Sequence, residues 1–281
     1  MKELAYFDGE ISESATLKVP FDDRARFFGD GVYEAAIARN YHIFQLDDHL
    51  DRLFRSLALI DIEPNFDRLE IESLLNELSK KVDLDNQFIY FQVSRGVAPR
   101  NHDYDIKLKP TVSIVIREGF DVLGQLYQPV AVQLEEDIRF AMCHVKTLNL
   151  LPNVLSTHRA NKKGLFETIY HRNGRVTECA HSNVHILKDG VLQTAPTDQY
   201  ILPGVTRKLL LENCHLMGIP VREEAFSTDD LFSADEVIIT ATADLCIQVN
   251  QIDGVAVGGK APQLLKKLQD KMYQDYLKET E

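Results

Sequence analysis

The stretch Leu165-Phe166-Glu167-Thr168-Ile169-Tyr170, followed by Asn173-Gly174, Val176-Thr177-Glu178-Cys179, Val184–Leu187, Asp189-Gly190 and Val191–Gln193, reads as two β-hairpins in close order. Asn-Gly and Asp-Gly supply the positive φ angles that a two-residue turn demands, and the flanking runs are apolar or β-branched. The same signals recur outward from this stretch. Leu4–Phe7, Asp8-Gly9 and Ile11 predict an opening hairpin, and Val32–Ala38 and Ile43–Phe44 predict strands around an Arg39–His42 turn. Phe88–Arg95, Thr111–Ile116, Val130–Leu134 and Val237–Thr240 predict further strands, and Asp253-Gly254 a last hairpin. Helical spacing appears after Asp47 (Leu50, Leu53, Phe54, Leu57) and after Asp67, whose Glu70 gives a capping-box start to the stripe Ile71, Leu74, Leu75, Leu78. Pro152 to Lys163, closed by Gly164, and Pro262–Leu277 predict two more helices. Hairpins rather than regular βαβ units place both halves in the α+β class. Gly119, Gly124 and Pro129, in a stretch of little periodicity, predict an N-terminal domain 1–119, a linker 120–129 and a C-terminal domain 130–281.

Composition narrows the function classes. A net charge of −12 argues against nucleic acid and anionic membrane as partners. No apolar run approaches the roughly 20 residues of a membrane span, and the acidic segment Met1–Glu13 has no signal-peptide core. Cys143, Cys179, Cys214 and Cys246 form no C-x-x-C pair and read as reduced thiols. A cytoplasmic enzyme is expected. Cys179, His181 and His185 lie on one strand-like segment with no fourth ligand, so no metal site is expected.

Several residues carry chemistry when taken together. Lys146 lies between a strand-like segment and the Pro152 helix, with Leu148, Leu150 and Leu151 close behind. A lysine held against apolar surface loses ammonium solvation, which favours the free amine that attacks an aldehyde. Taken alone it is more simply a surface lysine. Glu178, directly after a hairpin, is an acid of the kind that keeps a pyridine nitrogen protonated, although an exposed strand residue reads the same way. Gly204 before a helix beginning near Thr206 suits an anion at unpaired N–H groups, and a plain capped helix explains the residues as well. Thr240-Ala241-Thr242 adds hydroxyls after an apolar strand, and Arg52 adds a cation beside the Leu53 stripe. Tyr33 with Arg100-Asn101-His102 makes a donor-rich trap for a carboxylate, where an ordinary polar loop is the plainer alternative.

The order of these motifs is itself informative. Phe28-Gly29-Asp30-Gly31-Val32-Tyr33-Glu34, His49-Leu50-Asp51-Arg52, Lys146-Thr147-Leu148-Asn149, Thr177-Glu178 through Asn183, and Gly204-Val205-Thr206-Arg207 together resemble the class IV aminotransferases over nearly the whole chain. The resemblance implies a fold type IV enzyme, α+β, of two α/β domains with the active site between them, using pyridoxal 5'-phosphate. Tyr90–Gly96 followed by Pro99-Arg100-Asn101-His102 resembles the branch of that family acting on D-amino acids.

Residue by residue, it implies Lys146 as the Schiff-base lysine and Glu178 as the partner of the ring nitrogen. It implies Arg52, Val205, Thr206 and Thr242 as phosphate ligands, with Ser182 nearby and Leu202 against the ring. Tyr33, Arg100 and His102 are implied for the substrate carboxylate, the last two reaching in from a neighbouring subunit of a homodimer. Cys179, Ala180 and His181 stand where bacterial D-specific members usually carry Gly or Ser, and Arg26 where an uncharged residue is familiar. The expected reaction is ping-pong transfer from a D-alanine-like donor to a 2-oxo acid such as 2-oxoglutarate. A branched-chain L-amino-acid aminotransferase and an aminodeoxychorismate-lyase-like enzyme are the alternatives on the same fold. Neither needs the Arg100/His102 pair.

Overall fold

The computed structural model describes residues 2–281, which divide into two compact units. Unit 1 comprises the described residues up to Phe120 together with Val145–Asn149 and Leu277–Glu281, and unit 2 the remainder.

Unit 1 is a six-stranded antiparallel sheet with helices on it. In chain order come β1 (Leu4–Phe7), β2 (Glu10–Ser12), α1 (Arg24–Phe28), β3 (Gly31–Arg39), β4 (His42–Ile43), α2 (Leu46–Leu59), α3 (Arg68–Ser79), β5 (Asn86–Ser94) and β6 (Thr111–Glu118). The sheet order is β2-β1-β6-β5-β3-β4. The opening hairpin forms as expected, with Asp8 and Gly9 at φ 46° and 103°. The predicted stripes Leu50, Leu53, Leu57 and Ile71, Leu75, Leu78 are buried in one core with Val32, Ala36, Ile89, Phe91 and Ile114. Asp67 and Glu70 make the reciprocal capping bonds that start α3. The helix α1 carried no periodic signal because five residues are too few to show one.

Unit 2 holds α4 (Val122–Leu126), β7 (Val130–Glu136), α5 (Leu151–Lys162), β8 (Glu167–Arg172), β9 (Arg175–Cys179), β10 (Asn183–Lys188), β11 (Val191–Thr194), α6 (Val205–Leu216), β12 (Val221–Glu223), α7 (Thr228–Ser233), β13 (Glu236–Thr240), β14 (Ile247–Ile252), β15 (Val255–Ala256) and, as far as Tyr276, α8 (Pro262–Glu279). Its strands order as β12-β11-β10-β13-β14-β7-β8-β9, with β15 on β14. Both quoted hairpins are present, Asn173-Gly174 at φ 48° and 81° and Asp189-Gly190 at φ 52° and 76°. The expectation of hairpins without βαβ units needs correction here: β7, α5 and β8 form one, since β7 pairs β8 in parallel. A parallel pair needs a crossover, and α5 supplies it. The span 120–129 is also not a bare linker, because Val122–Leu126 is helical with Val122 and Leu126 buried.

A second correction concerns Lys146, expected in the C-terminal half. Val145–Asn149 returns to unit 1 as an added edge segment. Tyr33 N–H donates to the Lys146 carbonyl at 2.9 Å, Leu148 N–H to Gly31 at 3.1 Å, and Thr147 bridges Val32 in antiparallel register. The N-terminal half of β3 has no other strand on this side, since β4 pairs only with Ala38 and Arg39. Its open main-chain groups are what recruit the segment.

Candidate active site

In unit 1, this added segment fixes the lysine main chain, with Lys146 N–H also donating to Ser56 Oγ of α2 at 3.3 Å. The side chain carries its Nζ over the Tyr33 ring, 4.4 Å from the centroid, where the ring's negative face attracts a cation. Tyr33 in turn stacks on Tyr90, ring centroids 5.5 Å apart, and the Tyr90 hydroxyl donates to Gln92 at 2.8 Å. Burial, reinforced by Tyr33, raises the Tyr90 phenol so that it keeps its proton.

Glu34, next to Tyr33 on β3, points to the opposite face as strand alternation requires and is fully buried against α2. Arg52 grips it with two bonds, Nε to Oε1 at 2.8 Å and Nη2 to Oε2 at 2.7 Å, and His49 Nδ1 lies 2.7 Å from Oε2. One turn apart on α2, His49 and Arg52 share this acid. Burial pushes Glu34 up, but Arg52 and His49 outweigh it and hold the carboxyl at about 2. His49 is pushed down, chiefly by burial. Arg52, expected for a phosphate, therefore gives two of its five donors to Glu34, a partner that residue type alone did not reveal.

The Glu34 geometry has a pH consequence. A carboxyl depressed in the folded chain stabilises it fully above its unfolded value and loses that contribution as the pH falls. For Glu34 the window runs from 4.5 down to about 2. His185, buried and lowered to about 3, works in the same direction from 6.5 downward, because its unfolded imidazole gains a proton first. Urea unfolding should show stability dropping steeply below pH 5. Glu34→Gln should remove about 3 kcal/mol of that acid dependence. An unaltered slope between pH 5 and 3 in the variant would assign the acid sensitivity elsewhere.

The loop after β5 carries Arg100 and His102, both exposed. The Arg100 guanidinium sits 5.2 Å from the Phe28 ring centroid and the His102 ring 5.3 Å from it, so one aromatic residue seats both. No hydrogen bond among the described residues joins either to Tyr33. Arg26 stacks over Phe21 at 4.5 Å.

In unit 2, Glu178 on β9 is buried and bonded on both oxygens. Arg139 Nη1 donates to Oε1 at 2.5 Å, while Leu202 N–H at 2.7 Å and Asn183 Nδ2 at 3.1 Å donate to Oε2. Burial pushes the Glu178 carboxyl up, with Arg139 opposing. Arg139 is itself held by Asp137 through Nε and Nη2, each at 2.9 Å, and by the Tyr170 ring at 4.7 Å. The sequence reading missed Arg139; its one local signal is an acid two residues before it, which is too common to count.

Asn183 also donates to the Leu202 carbonyl at 3.0 Å, and a Cβ on Gly204 would meet Asn183 Oδ1 at 2.1 Å. Glycine is thus demanded where the chain enters α6. That helix starts at Val205 with no capping side chain, leaving first-turn N–H groups, Val205 and Thr206 among them, without intrahelical acceptors. Thr242 lies in the turn after β13, whereas Thr240 is buried with its Oγ1 2.9 Å from His185 Nε2. Ser182 donates its hydroxyl proton to Glu167 at 3.0 Å, and His181 pairs with the same acid at 2.9 Å.

Comparison with known proteins matches this architecture. The Amino-transferase class IV profile covers residues 31–252, and the chain belongs to that family. Class IV aminotransferases are pyridoxal-phosphate-dependent enzymes. The D-alanine aminotransferase of Bacillus licheniformis is 38% identical over 278 residues, covering 98% of this chain and 97% of that protein. The branched-chain amino acid aminotransferase of Escherichia coli superposes with a TM-score of 0.89 at 24% identity, over 100% of this chain and 97% of that one. A hypothetical aminotransferase from Mycobacterium tuberculosis, solved in a PLP-bound form, gives 0.82 at 24% identity over 96% of this chain and 98% of that one. The two structures share the fold type IV architecture.

Proposed function

We propose that the chain is a D-amino-acid transaminase that moves the amino group of a D-alanine-like donor to a 2-oxo acid such as 2-oxoglutarate. The observation that carries this reading is the placement of Lys146, an amine locked at its main chain to the edge of β3 and carried over Tyr33. End-to-end similarity to a D-alanine aminotransferase supports the choice of donor.

The residues present suit pyridoxal phosphate. Gly204, where a Cβ would collide with Asn183 Oδ1, leads the chain into the uncapped start of α6, whose first-turn N–H groups suit an anion. A carboxylate offers about four lone-pair sites, and Glu178 spends three on Arg139, Leu202 and Asn183, which leaves one for a ring N–H. The cofactor, when bound, supplies an aldehyde for amines and a ring that accepts the electron pair released at the substrate α-carbon.

In this reading Lys146 Nζ would hold the cofactor through its aldehyde and, once the donor's amine takes its place there, the freed Lys146 amine would carry the proton taken from the α-carbon. Glu178 keeps the ring nitrogen protonated, with Arg139 favouring its ionised form against burial. Val205 and Thr206 N–H groups, Thr242 and Arg52 hold the phosphate, with Ser182 nearby and Leu202 against the ring. Tyr33, Arg100 and His102 orient the α-carboxylate, and its docking side decides which enantiomer presents its proton to Lys146.

In solution the reading requires a homodimer, in which Arg100 and His102 serve the neighbouring chain. No helix among the described residues is long and apolar enough to cross a membrane. Purified protein given D-alanine and 2-oxoglutarate should form pyruvate and glutamate in equal amounts. Reaction with L-leucine in place of D-alanine would favour the branched-chain alternative, and pyruvate released without glutamate from aminodeoxychorismate the lyase. Arg100→Ala should raise KM for D-alanine about 10- to 100-fold, the worth of a charge-assisted bond, with cofactor retention unchanged. Equal losses of substrate capture and cofactor would place Arg100 elsewhere.

A further inference from the structure

Arg24, the first residue of α1, is an arginine that the proposed reaction does not use, yet it is almost wholly buried, 3% exposed. Its Nε donates to Asp30 Oδ2 at 2.8 Å. The other end of the fork points at the main chain of the exposed loop after β5. Nη1 donates to the Asn101 carbonyl at 2.7 Å and to that of Asp103 at 3.4 Å, and Nη2 to that of His102 at 3.5 Å. Among the described residues nothing else donates to these three carbonyls.

A second arginine completes the clamp. Arg95, at the end of β5, donates to the same Asp30 carboxylate at 2.9 Å and to the carbonyls of Ile60 and Asp61 at 2.8 and 2.9 Å. The Tyr104 ring covers the Arg95 guanidinium at 3.8 Å and lies 5.6 Å from that of Arg24. Arg24 also sits 4.9 Å from the Phe28 ring on which Arg100 and His102 rest. Asp30 therefore neutralises one of two guanidiniums, and the remaining positive charge is spent on loop carbonyl dipoles.

An exposed loop with few main-chain bonds samples many conformations. From Ala98 to Leu108 the main-chain bonds within the loop and to its neighbours are few, Ala98 to Asp22 and Leu108 to Asp105 marking its two ends. The planar guanidinium is preorganised, so tying three consecutive carbonyls to it costs little side-chain entropy. From this arrangement we propose that Arg24 is a positioning residue that holds the Arg100–His102 segment in the conformation that receives the amino donor's carboxylate. This rests on the carboxylate role assigned above to Arg100 and His102.

The test compares Arg24→Gln, Arg24→Lys, Tyr104→Leu and Arg100→Ala in the cofactor-loaded enzyme. Arg24→Gln should raise KM for D-alanine about tenfold or more, as small misplacements of substrate-orienting groups do, while kcat stays within about threefold. Amide hydrogen exchange over 99–105 should quicken while that of α6 does not, and Arg24→Lys should restore only part of the affinity. Tyr104→Leu removes the ring over Arg95 but leaves both arginines paired with Asp30, and so keeps the test alive should Arg24→Gln fail to fold; it should shift KM and loop exchange in the same direction. If Arg100→Ala raises KM while Arg24→Gln and Tyr104→Leu leave both KM and exchange unchanged, the positioning role is wrong and the carboxylate assignment stands. If Arg100→Ala itself leaves KM unchanged, the carboxylate assignment fails and takes the proposal with it.

Discussion

The Lys146→Ala enzyme is expected to lose turnover of D-alanine with 2-oxoglutarate by about a thousandfold or more, together with the visible absorbance of the bound cofactor. Removing a positioned acid–base group alone costs roughly two to four orders of magnitude, and here the same side chain is also the nucleophile. The fold should survive. What ties this residue to unit 1 is its main chain, through Tyr33 N–H and Ser56 Oγ, and alanine keeps both bonds. Thermal unfolding of the apo variant near that of the parent would show that activity was lost through the amine and not through the structure. Retention of both the absorbance and turnover would mean that another amine does the work.

Glu178→Gln is the second large effect. An amide cannot keep a ring nitrogen protonated, so kcat should fall by about a hundredfold or more, within the range assigned to general acid–base groups. Stability should fall too. Arg139, Leu202 N–H and Asn183 Nδ2 all point donors at this side chain, and glutamine turns two more donors toward them. Breaking a buried pair by neutralising one partner costs about 3 kcal/mol or more, and Asp137 still faces Arg139 to limit the damage. Denaturant titration and steady-state kinetics on the same preparation separate the two losses. A kcat within about threefold of the parent would remove Glu178 from the ring-nitrogen role.

Local signals in the sequence translated directly into structure. Asn173-Gly174, Asp189-Gly190 and Asp253-Gly254 each sit in a tight turn because only residues tolerant of positive φ can occupy it. Asp67 with Glu70 and the α2 stripe depend on neighbours within one turn, so their meaning is contained in a few residues. Ser227 and Asp230 make the same reciprocal capping bonds at α7, whose six residues are too few to show a periodic stripe beside them.

Long-range pairing was less legible. Nothing near Lys146 announces that its strand completes β3, more than a hundred residues earlier. Glu34 lies next to Tyr33 in the sequence, but its partners His49 and Arg52 belong to a helix beyond β4. Arg139 reaches Glu178 from a separate segment in the same manner. For the candidate site, motif order nominated the residues, while periodicity could not say which acid each base would meet.

The way unit 1 is assembled from three stretches of chain bears on biosynthesis. Its sheet is complete at residue 120, yet the edge of β3 stays bare until Val145–Asn149 arrives. The β3–β4 turn stays untied until Thr280 accepts from Asn40 at 3.1 Å and Glu279 from the Gln45 amide at 2.6 Å. A nascent chain paused on the ribosome near residue 120 therefore displays an unsatisfied strand, the kind of template that invites intermolecular pairing. Cutting the gene at that point would yield a sticky fragment, and an affinity tag fused directly behind residue 281 would crowd the very residues that close the unit.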